Sequence, residues 1–450
     1  MPQQPMYPAA VNSLQTELAA AVDATQTTIS VADASLLPDA PNLVTIGSDE
    51  TAETIIYRGK SGNTLTGVTR GFQGTAKGWS AGIKVARYFT AYDHDTFRGN
   101  IQDLGSRMDT VESALPLSSM SRQAIINGNF DVWQRGTSFA YTGSRMYCAD
   151  RWNHDGMSTA ASAISRQLLS VGTIPHAYYY FRFSTGGAGS GYTATSYSRT
   201  SQSIENGTRY LAGEGKKVTV SFWARSSVAG KKLGVFIAQN YGTGGSPSPE
   251  DLISGRYVTL TSNWAKYTHT FSTASLVGKT FGTNNDDVLS IQFWYVWGTS
   301  FANLVGDTVA ETFRASGDID IAQVQVCAGE VDLPFQPRCF AEELALCQRY
   351  YERYDGVPGM RLNLPAATAD TSTNYRTELF FRVPKRVTPT MTQGGAFRFI
   401  PGGAGTTLNF FETTPYQTGI SATTSGATVG NSIIIQSADT GGWIAADAEL

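Results

Sequence analysis

The chain has 450 residues, of which 16 % are charged, with 46 glycines and a formal net charge of −3. That length calls for several domains, and low charge with 11 % aromatics describes short strands joined by tight turns. No long basic run and no stretch of ~20 apolar residues is present, so neither a nucleic-acid partner nor membrane insertion is expected.

The opening MPQQPMYPAAV lacks the basic region and apolar core of a signal peptide, which predicts a protein made in the cytoplasm that leaves by another exit, such as cell lysis. Residues 1–90 read as a small β module. Thr27–Val31, Leu43–Ile46 and Glu53–Tyr57 alternate in polarity, Lys60-Ser61-Gly62-Asn63 makes a turn, and Thr64–Arg70 returns. Such a module has few titratable groups and suits docking or spacing.

Residues 91–118 carry an a/d heptad stripe. Phe97, Ile101, Leu104, Met108, Val111 and Leu115 recur at spacings of four and three, and such a seam demands burial against another helix. Asp93 or Asp95 is placed to cap the start and Pro116 to end it. Gly99 and Gly105 each cost about 1 kcal/mol relative to Ala, so a lone helix is poor. With no second long amphipathic helix in the sequence, the seam is read as an oligomerisation surface, with packing on its own chain as the competing reading.

From 119 to 338 the pattern is all-β. Lys217–Arg225, Lys232–Ile237, Tyr257–Leu260, Tyr267–Phe271 and Val288–Trp297 are separated by glycine-rich turns, which predicts a sandwich with Greek-key or jelly-roll connections. A linking helix is expected within 339–355, with Leu344, Cys347 and Tyr351 on one face. A smaller C-terminal β domain, 356–450, follows. The predicted class is therefore mainly β.

Strand parity nominates ligand residues. Val218, Val220, Phe222 and Ala224 point to a core, which leaves Trp223 and Arg225 on the other face, where a flat ring and a planar donor fork suit a saccharide. In the Ile291–Trp297 strand, apolar on both faces, Phe293, Tyr295 and Trp297 should share one side and Trp294 and Val296 the other, making Trp294 a third saccharide candidate. For each aromatic the competing reading is burial under a loop or against a second subunit.

No catalytic group is nominated and the chain is read as a non-enzyme. Hydrolysis of a glycoside needs paired carboxylates, and nothing in the spacing of Asp131, Asp150, Asp155, Glu205, Glu250, Asp251, Asp286 and Asp287 pairs any two. The four histidines have no serine or cysteine in a nucleophile-elbow context. Cys148, Cys327, Cys339 and Cys347 match no zinc or redox spacing and are expected as free thiols. No cofactor is expected; a structural divalent cation at Asn284-Asn285-Asp286-Asp287 is the one metal considered, against a plain turn.

Several stretches together resemble bacteriophage tail fibre and tail spike proteins. Asn127–Gly136 followed by Ala149-Asp150-Arg151-Trp152, the Ser221–Arg225 strand, and Asp320–Val326 are similar to jelly-roll modules of the carbohydrate-binding type. Phe335-Gln336-Pro337-Arg338 before Gln348-Arg349-Tyr350-Tyr351 resembles the exit into a C-terminal tail domain, and Thr66–Gly71 with Gly74-Thr75-Ala76 resembles small N-terminal modules of phage tail proteins. The resemblance implies a homotrimeric virion protein, anchored through its N-terminus to other tail or baseplate proteins, with β domains that bind host cell-surface polysaccharide or act as spacers. A purely structural baseplate or fibre adaptor, and less so a polysaccharide depolymerase, are the alternatives.

Overall fold

The computed structural model describes residues 3–114, 122–157, 160–356, 359–401, 403 and 406–450, and for 109–114 the backbone alone. The chain divides into two compact units, Met1–Ser113 and Ala114–Leu450. It is mainly β, built of several antiparallel sheets with few helices.

In the first unit, alternating apolar positions produce a five-stranded sheet ordered Gln15–Glu17, Lys84–Ala86, Asn42–Ile46, Glu53–Tyr57, Thr69–Gln73, beside a three-stranded sheet. Glu53 lies wholly inside this module. It is held by Arg70 at 2.8 Å, by the Trp79 indole N–H at 2.9 Å and by the Gly71 amide at 2.7 Å. Burial pushes the carboxyl up, but these donors more than offset it and keep it below the ordinary carboxylate range. The Arg70-Gly71 pair in the Thr69–Gln73 strand is thus explained by the acid it encloses. Gly74 is required as well: its φ is +77°, and a Cβ there would sit 2.6 Å from the Ala52 carbonyl oxygen.

The helix Ala91–Ala114 belongs to the same compact unit. Asp93 sits in its first turn and does not itself cap it. Its carboxylate accepts from the Thr90 amide at 2.8 Å and hydroxyl at 2.9 Å, and pairs with the buried Arg87 at 2.6 Å. The seam stays uncovered by its own unit: Phe97, Ile101, Leu104 and Met108 are 54, 51, 49 and 64 % exposed. Of the remaining seam residues, Val111 is described by its backbone only and Leu115 lies outside the described residues.

The second unit opens with a jelly-roll-like sandwich of two six-stranded sheets. One, here the groove sheet, is ordered Met146–Tyr147, Asn153–Gly156, Tyr197–Glu205, Val288–Trp297, Lys232–Asn240, Asp251–Thr259. The back sheet is ordered Ala265–Ser272, Lys217–Ser226, Gly317–Ala328, Tyr179–Thr185, Ser162–Leu168, Ser138–Tyr141. Val218, Val220, Phe222 and Ala224 face the core between them, as strand parity requires.

Parity fails in the Val288–Trp297 strand. Against Tyr197–Glu205 the register steps from Trp294 opposite Arg199 to Val296 opposite Ser198, so Tyr295 is an inserted residue. Phe293, Tyr295 and Val296 therefore enter the sandwich core, while Trp294 and Trp297 both turn outward into a separate cluster with Phe236 and Val305. The grouping of Trp297 with Phe293 and Tyr295, expected from alternation, is corrected by this bulge.

The linking helix is shorter than expected. It spans Phe340–Gln348, and Tyr351–Asp355, read as its continuation, is a strand paired with Trp443–Asp447. A six-stranded sheet of the C-terminal domain completes the unit. Lys385 and Glu352 pair at 2.6 Å with neither side chain exposed, and Lys385 also donates to the Gln348 and Val383 carbonyls. The sandwich and these last strands share a charged junction: Arg135 bonds Asp447 at 3.1 Å, Arg151 bonds Glu449, and Arg349 bonds Glu205 at 2.9 Å. Arg135 and Arg151 lie 3.5 Å over the Tyr351 and Tyr350 rings. All four cysteines are free thiols, Cys339 alone being exposed.

His154 sits in the sandwich core among Tyr141, Phe183 and Tyr295, with Thr200 2.9 Å from Nδ1 and Ser198 3.2 Å from Nε2. Burial pushes it down to about 3, so it is neutral in the folded protein at pH values where an unfolded histidine, near 6.5, is charged. Between these values the unfolded chain binds the extra proton, and stability falls as pH falls, by up to ~1.4 kcal/mol per pH unit. Asp131 and Asp150, pushed up to about 6 by burial, act in the opposite sense but do so in any variant at position 154. Urea unfolding of His154→Gln and the unchanged protein at pH 7 and pH 4.5 should show the variant gaining relative stability at the lower pH; an offset equal at both pH values would refute this.

Candidate functional site

The outer face of the groove sheet carries the apolar cluster of Phe236, Trp294 and Trp297 at one end and is polar beside it, whereas its inner face is apolar. Successive rows run across the strands at right angles to the chain. Asp155, Arg199, Trp294 and Gly234 are mutual register partners, and so are Asn153, Ser201, Gln292 and Phe236; Ser203, Ser290 and Ala238 form the next row. Because Ser201, Ser203 and Ser290 contribute little bulk, the sheet forms a floor from which the longer Arg199, Asp155 and Gln292 side chains rise. The result is a groove of about 430 Å³, rimmed by Arg145, Asn240, Thr243, Glu250, Asp286 and Arg386.

A hydrogen-bond relay fixes the tall side chains. Arg199 donates from Nη1 to Gln292 Oε1 at 2.8 Å and lies 3.5 Å from Asp155 through Nη2. Tyr197 donates to the same Asp155 at 3.2 Å, and the Trp294 indole to Gln292 Oε1 at 2.9 Å. The Arg199 guanidinium is 5.1 and 5.5 Å from the Tyr197 and Trp294 rings. Its Nε is buried without a partner. At the rim, Asp286 accepts from the Thr243 amide at 2.7 Å; partial burial pushes its carboxyl up, but Thr243 holds it below the ordinary range. Three arginines and three acids line the groove, so it has no net sign to attract phosphate or a polyacid. Serine hydroxyls, an amide and a guanidinium on an open floor can exchange hydrogen bonds with a neutral polyol.

The structure does not gather the sequence-predicted ligand residues into one place. Trp223 and Arg225 share the outer face of the back sheet, and Trp294 is on the other sheet. Trp223 is half-buried, donates to Gln323 Oε1 at 3.1 Å, and packs with a cluster of Leu169, Ile174, Ala177 and Tyr180. Arg225 donates to Asp320 at 2.8 Å, an acid it shares with Arg182, and lies 4.7 Å from the Trp264 ring. Trp294 is only 3 % exposed, so its contribution to the groove is to fix Gln292 and Arg199, without an open ring face of its own.

Sequence reasoning missed Arg199, Gln292 and Ser201. The Tyr197–Glu205 strand is polar on both faces and gives no alternation of hydrophobicity; Asp155 was visible only as one of many loop acids. No local spacing marks these residues, since the register that joins them links positions over ninety residues apart in sequence. At the proposed cation turn, Asp287 pairs with Arg209 at 3.0 Å and Asp286 with Thr243. Among the described residues no group of three His, Cys, Asp or Glu is arranged to hold a metal.

No family model matches this chain, and no curated protein matches it. Among solved structures it is similar to the N-terminal cellulose-binding domain of a Cellulomonas fimi β-1,4-glucanase, at 15 % identity over 34 % of this chain and 80 % of that one, with a TM-score of 0.23. It is similar to a family 11 carbohydrate-binding module from Clostridium thermocellum at 12 % identity, over 42 and 95 % of the two chains and a TM-score of 0.22. A xylan-binding domain from Paenibacillus barcinonensis matches at 10 % identity, over 45 and 92 %, with a TM-score of 0.23.

Packing and groove roles separate by mutation. Trp294→Ala should lower the unfolding free energy by about 3–5 kcal/mol, as for a buried large aromatic, whereas Ser201→Ala on the floor should change it by no more than about 1 kcal/mol. Denaturant titration of both variants checks this, and equal losses would show that the floor is a packed interface.

Proposed function

We propose that the chain is a homotrimeric structural component of a phage tail, a fibre or spike, that binds host cell-surface saccharide through the groove and does so without catalysis. In this reading it is assembled into the virion, with the N-terminal module meeting other tail or baseplate proteins. The observation that carries the binding role is the relay of Asp155, Arg199 and Gln292 standing over a serine floor, with the Arg199 Nε lacking a partner. A polar sheet face of this kind offers fixed donors and acceptors without the cost of ordering them on binding.

The trimer rests on the exposed seam. Four bulky residues at a/d spacing, each about half exposed on one helix, remove apolar surface from water only by meeting another surface, and identical helices present a matching one. The phage assignment rests on the order of the sequence motifs. Arg70-Gly71 and Gly74 within the first of these enclose Glu53, so that motif has a structural reason to recur.

A glycan array, together with fractionated host envelope polysaccharide, tests the binding role on the full chain. At least one saccharide should bind, and Arg199→Ala should weaken it at least tenfold while Trp223→Ala does not; binding that is indifferent to Arg199 would refute the groove. Sedimentation equilibrium tests the assembly separately. The unchanged chain should have three times the chain mass, and Ile101→Asp with Leu104→Asp should reduce it to one; a monomer in both would remove the trimer.

A further inference from the structure

A second cavity of about 620 Å³ lies elsewhere in the sandwich unit, lined by Asn129, Asp131, Arg166, His176, Tyr178 and Phe340 among others. Two large aromatics stand bare beside it: Tyr178 is 67 % and Phe340 61 % exposed. Isolated exposed rings are common, but two on the lining of one cavity leave an apolar surface that a sugar ring can cover with its C–H face.

The polar lining is built and not merely solvated. Asn129 is only 8 % exposed; it donates to the His176 carbonyl at 2.8 Å, and its Oδ1 accepts no hydrogen bond. His176 holds that carbonyl in place with a left-handed backbone, φ +61°, which a non-glycine residue adopts at some cost. Arg166 lies 4.3 Å over the Tyr179 ring, and its side chain makes one hydrogen bond among the described residues, to the Asp131 carbonyl at 3.4 Å, so that it has further guanidinium donors to offer a ligand. Burial, with the charge of Glu343, pushes the Asp131 carboxyl up to about 6. Arg338, also on the lining, is held by Glu343 and by the carbonyls of Ile125 and Gln123.

We propose that this cavity is a second saccharide site, distinct from the groove, in which Tyr178 and Phe340 cover a sugar ring while Arg166, Asp131 and Asn129 exchange hydrogen bonds with its hydroxyls. It rests on the same ligand class as the groove reading but on none of the same residues.

Cys339 makes it testable, because this exposed thiol lines the cavity and the other three cysteines are buried. The probes are glucose, galactose, mannose, rhamnose, N-acetylglucosamine and glucuronic acid at tens of millimolar, and the readout is the rate of Cys339 alkylation by iodoacetamide in the full chain. At least one sugar should slow alkylation severalfold; Tyr178→Ala and Phe340→Ala, both at exposed positions, should abolish that protection, and Arg199→Ala should leave it intact. Protection by none of the sugars, or protection that survives both aromatic variants, overturns the second site. Protection lost in Arg199→Ala would instead fold it into the groove. Failure of the groove is read independently, from the array binding of the full chain.

Discussion

One inserted residue, Tyr295, decides which aromatic side chains of the groove sheet enter the sandwich core. Without the bulge, Trp297 would point into the core with Phe293 and Tyr295, and the sandwich would have to accommodate a phenyl ring, a phenol and an indole from this one strand between its sheets. With it, Tyr295 and Val296 both enter the core, where the Tyr295 hydroxyl reaches Thr200 at 3.0 Å, and Trp297 joins Trp294 outside. Trp294 stands opposite Arg199, which turns toward Gln292 and Asp155, in the unbroken register that runs on to Glu205 and Val288. The shift therefore re-aims the end of the strand beside the groove and leaves the groove rows themselves in plain alternation, and re-aiming side chains is what a bulge commonly does.

The same economy governs the buried charges. Glu53 in the first unit, Glu311 with Lys231 at 3.0 Å in the sandwich, and Glu352 with Lys385 in the C-terminal domain are each enclosed together with one cation. Each cation or acid also binds backbone groups, so no charge is left to bear desolvation alone. Pairs of this kind add little net stability over apolar replacements, but they tolerate few alternative packings. Glu449 extends the pattern to the junction, where Arg135 and Arg151 converge on it while stacking on Tyr351 and Tyr350. The Gln348–Tyr351 stretch matters for this reason: it supplies both rings from consecutive positions just where the helix gives way to a strand.

What the sequence made legible follows from where hydrophobicity alternates. The strands Lys217–Ser226 and Val288–Trp297 and the helix Ala91–Ala114 were readable because one of their faces is apolar or nearly so. Ser162–Leu168 and Tyr197–Glu205 were not, since Ser, Thr, Arg and Gln occupy most of their positions, nor was Asn363–Thr371, where a proline and three alanines carry little strand preference; strand identity in all three comes from neighbours. The candidate site suffers the same blindness in stronger form. Trp223 and Arg225 stood out because aromatics and arginines are conspicuous, yet Gln323 and Asp320 already engage them. The groove floor is made largely of serines with Asn153 and Gln292, residues that in a linear reading are indistinguishable from solvated strand edges. Only pairing places Asn153, Ser201 and Gln292 side by side.

The seam and the groove make unequal demands on affinity, and that difference links them. A shallow polar floor replaces water–hydroxyl bonds with protein–hydroxyl bonds of similar strength, so each groove alone supports only weak binding. In the proposed oligomer, copies joined through Phe97, Ile101, Leu104 and Met108 would present several grooves to one repetitive surface, and each later contact would be made at an effective concentration set by the tether. Avidity of that kind needs no deeper pocket and no catalytic group. It would require that the seam hold the copies together more tightly than any groove holds a sugar, and under that proposal a helix otherwise burdened by Gly99 and Gly105 has a reason to keep four bulky apolar residues at heptad spacing in water's reach.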